Sequence, residues 1–159
     1  MSDRPGPSRH RARELVVHGL YERQLSKRAD REIAASLIAE PDLADDDDAA
    51  PASATELDRD YFDALWRGVT GDYDALLAAL APHVDRSIDA LSPIERAVLA
   101  IGAWELAHRL DIPYRVVINE AVELAKLYGG TDGYKFVNGV LDRLAPRLRA
   151  DEIRVARRR

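Results

Sequence analysis

Residues 112–126 read IPYRVVINEAVELAK and residues 135–142 read KFVNGVLD, and both stretches repeat apolar side chains every three or four positions. That spacing places the apolar side chains on one face of an α-helix, which turns by about 100° per residue. No stretch of the chain shows the sustained two-residue alternation, rich in β-branched and aromatic side chains, that is typical of strands. The sequence therefore predicts an all-α fold.

The same spacing, followed outward, predicts helices near 9–27, 30–40, 55–81, 93–109, 114–128 and 133–149, with a short turn over 85–90. Ser92 and Pro93 mark a helix start, because serine caps an N-terminus and proline suits the first helical position, and Glu95 can complete a capping box. Gly129 can end a helix in the left-handed conformation. Asp132 can then cap the last helix.

The chain has 159 residues, enough for one domain with a hydrophobic core. It contains no cysteine, which excludes a disulfide framework and thiolate metal sites and fits a reducing compartment. No signal-peptide core and no apolar run of membrane-spanning length are found, so we expect a cytoplasmic protein. We expect residues 1–8 to be a disordered tail and residues 150–159 to be a basic tail.

The net charge of −5 is distributed unevenly along the chain. Residues 1–28 carry seven basic and three acidic side chains, whereas residues 29–63 carry two basic and twelve acidic ones. We expect an acidic surface loop at 41–54, and its four consecutive aspartates favour a solvated charge run over a divalent-metal site because neighbours cannot converge on one ion without a turn. A basic end on an acidic protein can still bind a polyanion locally.

Sequence patterns of known catalytic sites are missing. The chain has no glycine-rich phosphate loop, no His-Glu-x-x-His pair and no G-x-S-x-G turn, and its four histidines are scattered without metal-ligand spacing. Glu120 and Glu123 lie three residues apart, as carboxylates do on most solvated helices. We therefore predict a binding protein with no catalytic residues, no metal and no cofactor.

Three arginines, Arg9, Arg11 and Arg13, cluster at the predicted start of the first helix. Positive charge at a helix N-terminus is unfavourable by roughly 0.3–1 kcal/mol per side chain, so another interaction should favour it. An RNA phosphate backbone would use both the guanidinium groups and the helix end. A solvated terminus with Glu14 and distant acids as partners explains the cluster as well, and residue types alone leave both alternatives open.

The first predicted helix has two apolar faces. One face carries Ala12, Leu15, Val16, Gly19 and Leu20. The opposite face carries Val17, Tyr21 and Leu25. One of the two can meet the core, and the other needs cover, either from later helices of the chain or from a partner protein.

The last predicted helix contains one discordant aromatic residue. Phe136 lies about 100° from the centre of the apolar stripe, on the side of Lys135. An aromatic ring beside a lysine, off the core face, suits stacking with an RNA base. On the same helix, Gly139 is predicted to permit the close approach of a neighbouring helix.

Taken together, these stretches resemble the NusB family, over essentially residues 9–148. The resemblance rests on INEAVELAK at 118–126 and KFVNGVLD at 135–142, with support from RHRARE at 9–14, LY at 20–21 and PIERAVLAIGAWEL at 93–106. It implies a compact bundle of about six or seven helices in two three-helix subdomains, at about 9–84 and 85–149.

The resemblance also implies a function. NusB-family proteins are transcription antitermination factors that bind the boxA element of ribosomal RNA leaders in a complex with NusE, a ribosomal small-subunit protein. Processive transcription of ribosomal RNA operons would then involve other elongation factors and RNA polymerase as indirect partners. Some members self-associate through the face that otherwise meets NusE, so a homodimer stays open.

By the same resemblance, RNA contacts fall on Arg9, Arg11, Arg13, Asp132, Lys135 and Phe136. NusE contacts fall on Tyr21, Leu25 and Glu95. Two positions depart from the family pattern: His10 interrupts the arginine cluster, which predicts weaker or more pH-dependent RNA binding, and His83 stands where some members have tyrosine. The acidic segment at 41–54 is also longer than usual.

The competing interpretation is a different class of protein. A NusB-like helical domain also forms the N-terminal part of some ribosomal RNA cytosine methyltransferases. That class needs a further α/β domain with a glycine-rich cofactor loop, which the residues after 149 do not provide. The alternative is therefore an RNA-binding or scaffold helical module related to that domain.

Overall fold

The computed structural model describes residues 8–39 and 56–158. Within these ranges the chain forms the helices α1 (Arg9–Leu25), α2 (Asp30–Ala39), α3 (Arg59–Gly71), α4 (Tyr73–Leu80), α5 (Pro93–His108), α6 (Tyr114–Tyr128), α7 (Gly133–Leu148) and α8 (Ala150–Arg157). Two 3₁₀ turns cover Ala81–His83 and Ile88–Ala90. The predicted all-α class is confirmed. The predicted acidic loop at 41–54 lies outside the described residues. So does the predicted N-terminal tail at 1–8, apart from Ser8.

Two elements differ from the sequence prediction. The single helix predicted over 55–81 is wrong, because α3 ends at Gly71 and α4 begins at Tyr73, with Asp72 at the N-cap position between them. Glycine is a weak helix former and aspartate favours helix starts, so this pair interrupts an otherwise continuous apolar pattern. The segment predicted as a basic tail is helical from Ala150 to Arg157.

The chain divides into two units, Met1–Arg67 and Gly68–Arg159. The division falls inside α3 rather than after residue 84, where the resemblance placed it. In the part of the chain that the structure describes, no helix combines the length and the apolar character needed to cross a membrane.

In the first unit, α1, α2 and α3 meet closely at Gly19. A Cβ atom at this position would lie 2.6 Å from the Trp66 ring and 2.8 Å from a methyl group of Leu37, so only glycine lets both side chains reach α1. The indole N–H of Trp66 donates to the carbonyl oxygen of Asp30 at 3.1 Å. Arg23 of α1 donates to the Asp30 carboxylate at 2.7 Å, so Asp30 links the start of α2 to both α1 and α3.

In the second unit, α5 is buried along its middle. Every residue from Ala97 to Leu106 is buried, and α5 packs against α4, α6 and α7. A Cβ atom at Gly102 would lie 2.9 Å from Leu141 of α7, which makes this the close helix approach. The prediction for Gly139 is wrong, since the only atom near a Cβ there is the end of the Arg143 side chain, on the same helix, at 3.3 Å.

The predicted helix ends are partly confirmed. Ser92 caps α5, because its hydroxyl accepts the backbone N–H of Glu95 at 3.1 Å. α6 ends at Tyr128, before Gly129, as predicted, but Gly129 has an extended backbone with φ −91° and ψ 177° rather than a left-handed one. Glycine is required there for space instead, since a Cβ atom would lie 2.6 Å from the carbonyl oxygen of Ala125.

Arg149, between α7 and α8, is only 3% exposed. Its guanidinium donates, over 2.7 to 3.1 Å, to the carbonyl oxygens of Glu105, Leu106, Arg109 and Ile112. It also donates to the carboxylate of Glu152, which in turn accepts the backbone N–H of Tyr114 at 2.8 Å. Arg149 thus donates to carbonyl groups at and beyond the end of α5. Glu152, its ion-pair partner, accepts a backbone N–H group at the start of α6.

Replacing Arg149 by methionine should destabilise the fold by roughly 3 kcal/mol or more, because buried acceptors lose their donor and Glu152 loses its counter-charge. Urea unfolding followed by circular dichroism measures the change. Arg147→Met, two residues earlier and exposed, is the matched control and should shift the free energy of unfolding by less than about 0.5 kcal/mol. Equal stability of the two variants would contradict this role of Arg149.

Candidate nucleic-acid interface

α1 begins from a fixed point. The hydroxyl of Ser8 accepts the backbone N–H of Arg11 at 3.0 Å and caps the helix. The backbone N–H of Ser8 donates to the carbonyl oxygen of Glu56 at 2.7 Å, and Ser8 forms an isolated bridge with Leu57. The arginines of this segment therefore project from a held helix end.

Arg9 and Arg13 both lie on the ring of Tyr61. The guanidinium carbon of Arg9 is 4.7 Å from the ring centroid and that of Arg13 is 5.4 Å from it. The Arg9 side chain is 41% exposed and its Nε lies 4.0 Å from the carboxylate of Asp58. Arg13 is only 4% exposed, so its burial does not support the predicted direct contact with RNA phosphates. It instead supports the aromatic ring on which Arg9 rests.

Glu14 supplies the negative charge that the start of α1 lacks in its first turn. Its carboxylate lies 3.0 Å from Arg11 and 2.8 Å from His10. Ion pairs within the chain therefore provide part of the interaction that favours the basic residues at the start of α1. Partial burial and then the Arg11 guanidinium lower the pKa of His18 below 6.5, against an opposing effect of Glu14, so the His18 imidazole is neutral at neutral pH.

At the start of α7, Asp132 occupies the N-cap position, but the prediction that its side chain caps the helix is wrong. Its carboxylate lies 3.5 Å from the Nζ atom of Lys135, and both side chains are well exposed. The carboxylate of Glu95 lies beside the same helix end, 3.7 Å from the Cβ position of Gly133. A carboxylate there is favoured by the helix dipole, so the position of Glu95 beside the start of α7 is electrostatically favourable.

Phe136 lies off the core stripe of α7 and is half-buried. The guanidinium carbon of Arg86 lies 4.6 Å from the centroid of its ring, so one face of the ring carries a cation. Arg86 comes from the segment between the two 3₁₀ turns. No local pattern in the sequence signals this contact, because the two residues are far apart along the chain.

A second aromatic ring lies next to Phe136 in sequence. The Nζ atoms of Lys126 and Lys135 lie 5.2 Å and 5.9 Å from the ring centroid of Tyr134. We call Arg86, Lys126, Tyr134, Lys135 and Phe136 the α7 cluster. Sequence reasoning found Lys135 and Phe136 and missed the other three. Cations interleaved with aromatic rings can bind phosphates and stack bases at the same surface.

The predicted partner face is confined to the end of α1. Tyr21 and Leu25 lie one turn apart and are 43% and 61% exposed. Val17, expected on the same exposed stripe, is fully buried, which corrects that expectation. α1 is buried on both of its apolar faces as far as Leu20, so only its last turn leaves large apolar side chains uncovered. Glu95 is partly exposed at the start of α5.

Within residues 8–39 and 56–158, no group of three or more histidine, aspartate or glutamate side chains is placed to hold a metal ion.

The model of the NusB family matches residues 10–146. The chain belongs to the NusB family. The matched range begins one residue inside α1 and ends within α7, before α8.

The curated relatives agree with this assignment over nearly the whole chain. The transcription antitermination protein NusB of Paraburkholderia xenovorans (strain LB400) is 53% identical over 152 residues, which cover 96% of this chain and 98% of the relative. The protein of the same name from Azoarcus sp. (strain BH72) is 48% identical over 150 residues, which cover 94% of this chain and 90% of the relative.

Solved structures share the fold. T. maritima NusB aligns with a TM-score of 0.75 at 24% identity, covering 94% of this chain and 99% of that one. A chain from the crystal structure of antitermination factors NusB and NusE in complex with dsRNA aligns with a TM-score of 0.71 at 24% identity, covering 87% and 96%.

Proposed function

We propose that this chain is a transcription antitermination factor that binds boxA-type leader RNA together with NusE and promotes processive transcription of ribosomal RNA operons. Membership of the NusB family supports the antitermination role. A structural neighbour described as NusB and NusE in complex with dsRNA supports the choice of partners. The observation that carries the RNA-binding part is the α7 cluster, in which one cation lies on the Phe136 ring and two lie on the Tyr134 ring.

In this proposal the α7 cluster binds a single-stranded segment of the RNA. Arg86 covers one face of Phe136, so a base stacks on the opposite face of the ring. Lys126 and Lys135 are exposed and bind neighbouring phosphates. The Asp132 carboxylate pairs with Lys135 in the free protein. An RNA phosphate that binds Lys135 must either displace this carboxylate or lie beside it, so the strength of the contact depends on the charge of Asp132.

The start of α1 contributes further phosphate contacts. Arg9 and Arg11 carry them, because both side chains retain exposed surface, whereas Arg13 lies below the surface and positions the Tyr61 ring. The end of α1 binds NusE through Tyr21 and Leu25, with Glu95 as the predicted contact from the second unit. A large exposed tyrosine beside a leucine is typical of the apolar centre of a protein interface.

The chain has only two phenylalanines, which offer a matched pair of variants. Phe136→Leu keeps an apolar side chain but removes the ring, so we expect affinity for boxA RNA to fall by about 1–3 kcal/mol while the melting temperature stays near that of the parent. Phe62 is fully buried, and Phe62→Leu should lower the melting temperature instead. Fluorescence anisotropy and thermal melts separate the two effects. Normal RNA binding by Phe136→Leu would remove the ring from recognition.

The basic start of α1 is tested by salt dependence. Replacing Arg9 and Arg11 by alanine should weaken RNA binding and reduce the log–log salt slope by about 0.7 for each lost contact with single-stranded RNA. Arg13→Ala should mainly lower stability, since Arg13 is buried. The double variant Arg31→Ala with Arg67→Ala removes two exposed arginines elsewhere and should leave the slope unchanged. An unchanged slope in the first double variant would exclude these phosphate contacts.

Partner binding is tested by two residues one helical turn apart. Tyr21→Ala should cost more than ~1 kcal/mol of NusE affinity without lowering the melting temperature, because the side chain is exposed. Val17→Ala, at a buried position, should lower the melting temperature instead. Titration calorimetry with purified NusE measures the affinities. A different result would assign this surface to self-association. In that case the parent forms a homodimer, and the Tyr21→Ala variant loses the homodimer but binds NusE normally.

A further inference from the structure

The C-terminal helix presents a basic face that neither the family match nor the proposed function uses. α8 carries Arg154 and Arg157, and Arg158 follows at its C-cap position in helical conformation. Arg157 and Arg158 come three and four residues after Arg154, so the three side chains lie on one side of the helix. With Pro146, Ala150 and Ile153 they line a groove of about 410 Å³. The groove thus has an apolar floor and three guanidinium groups. Apart from Pro146, the lining residues lie beyond the range that the model of the NusB family matches.

This face is held in place. Ile153, on the inner side of α8, is 8% exposed. Glu152 accepts hydrogen bonds from buried Arg149 and from the backbone N–H of Tyr114, so the first turn of α8 is tied to the start of α6. The arginines are therefore displayed from an anchored helix, and less conformational entropy is lost when they bind a ligand.

The arginines differ in their partners. Arg154 pairs with Asp151 at 2.8 Å, and both side chains are highly exposed, so this pair contributes little to stability and is easily exchanged. Among the residues that the structure describes, Arg157 and Arg158 have no acidic partner. Guanidinium groups with no acidic partner among the described residues, on a chain with a net charge of −5, favour a local site for a polyanion.

Single-stranded RNA fits this groove better than an acidic peptide. Its phosphates match the fork of the guanidinium groups, and the flat face of a base can lie on the apolar floor. Along α7, ten residues separate Phe136 of the α7 cluster from Pro146 at the near edge of the groove, or about 15 Å at 1.5 Å per residue. That distance corresponds to roughly four stacked nucleotides at 3.4 Å each, so an RNA confined to the cluster does not reach the arginines of the groove.

We propose that α8 is a second RNA contact, in which Arg154, Arg157 and Arg158 bind the backbone of single-stranded RNA that flanks the boxA-type element. The inference rests on the proposed function, because it takes its ligand from the RNA bound at the α7 cluster. The inference predicts that the affinity of the protein for RNA increases with RNA length. Replacing the arginines of this basic face should be enough to remove that dependence.

The experiment compares two RNAs on the full chain in complex with NusE. One RNA holds only the boxA-type element, and the other extends it on both sides by unstructured nucleotides, about ten on each side so as to span α7. Arg157→Ala with Arg158→Ala should weaken binding of the extended RNA by about fivefold per lost contact at 0.1 M salt, or roughly 25-fold, and leave binding of the short RNA unchanged. The matched double variant Arg31→Ala with Arg67→Ala should bind both RNAs as the parent does.

Several outcomes would overturn the inference. An α8 variant that binds the extended RNA normally, or that loses no more affinity than the matched variant, shows that α8 does not contact RNA. Equal loss for both RNAs assigns the arginines to the boxA-type element itself. Normal RNA binding with loss of an acidic peptide or of NusE assigns the groove to a protein. The parent's binding of the short RNA reports separately on the proposed function, so failure of one does not imply failure of the other.

Discussion

The burial of α5 is the constraint on which the second unit depends. A helix that is buried from Ala97 to Leu106 needs apolar cover all round, and α4, α6 and α7 provide part of it. Close packing at Gly102 requires α7 to turn Leu141 inward. Once that side of α7 is fixed, Lys135 and Phe136 cannot lie in the core, because they stand on another side of the helix. The exposed chemistry of α7 is thus a consequence of how α5 is covered.

A buried helix also has polar ends, and Arg149 shows how the chain satisfies them. The carbonyl oxygens of Glu105 and Arg109 also accept backbone N–H groups, whereas Arg149 is the donor recorded for those of Leu106 and Ile112. A buried carbonyl group that loses its donor costs about 1–3 kcal/mol. An arginine suits this task because its guanidinium has five donors in one plane and keeps its charge. Its pairing with Glu152 carries the effect onward to α8. The hydrogen bonds of Arg149 thus satisfy buried carbonyl groups and also, through Glu152, fix the position of α8 and of its basic face.

Sequence reasoning succeeded where the signal is local. Apolar spacing located α1, α2, α5, α6 and α7, and cap chemistry at Ser92 located the start of α5. It failed where the outcome depends on distant residues. A helical wheel gives the direction of Val17 and Arg13 but not what covers that direction, and both proved to be buried. The contact between Arg86 and Phe136 leaves no trace in either local pattern, so the cation on that ring could be found only in the structure.

The partners of the basic residues determine what RNA binding can gain from them. Arg11 already pairs with Glu14, Arg9 lies near Asp58, and Lys135 lies near Asp132. A phosphate that binds any of these cations must replace or share an existing acidic neighbour, so each contact yields less than a free cation would. The acidic side chains also repel the phosphates of any RNA. Only an RNA whose bases stack on the rings of the α7 cluster gains a favourable energy that does not depend on charge. An acidic protein can in this way bind a particular RNA while its charge opposes indiscriminate binding of nucleic acid.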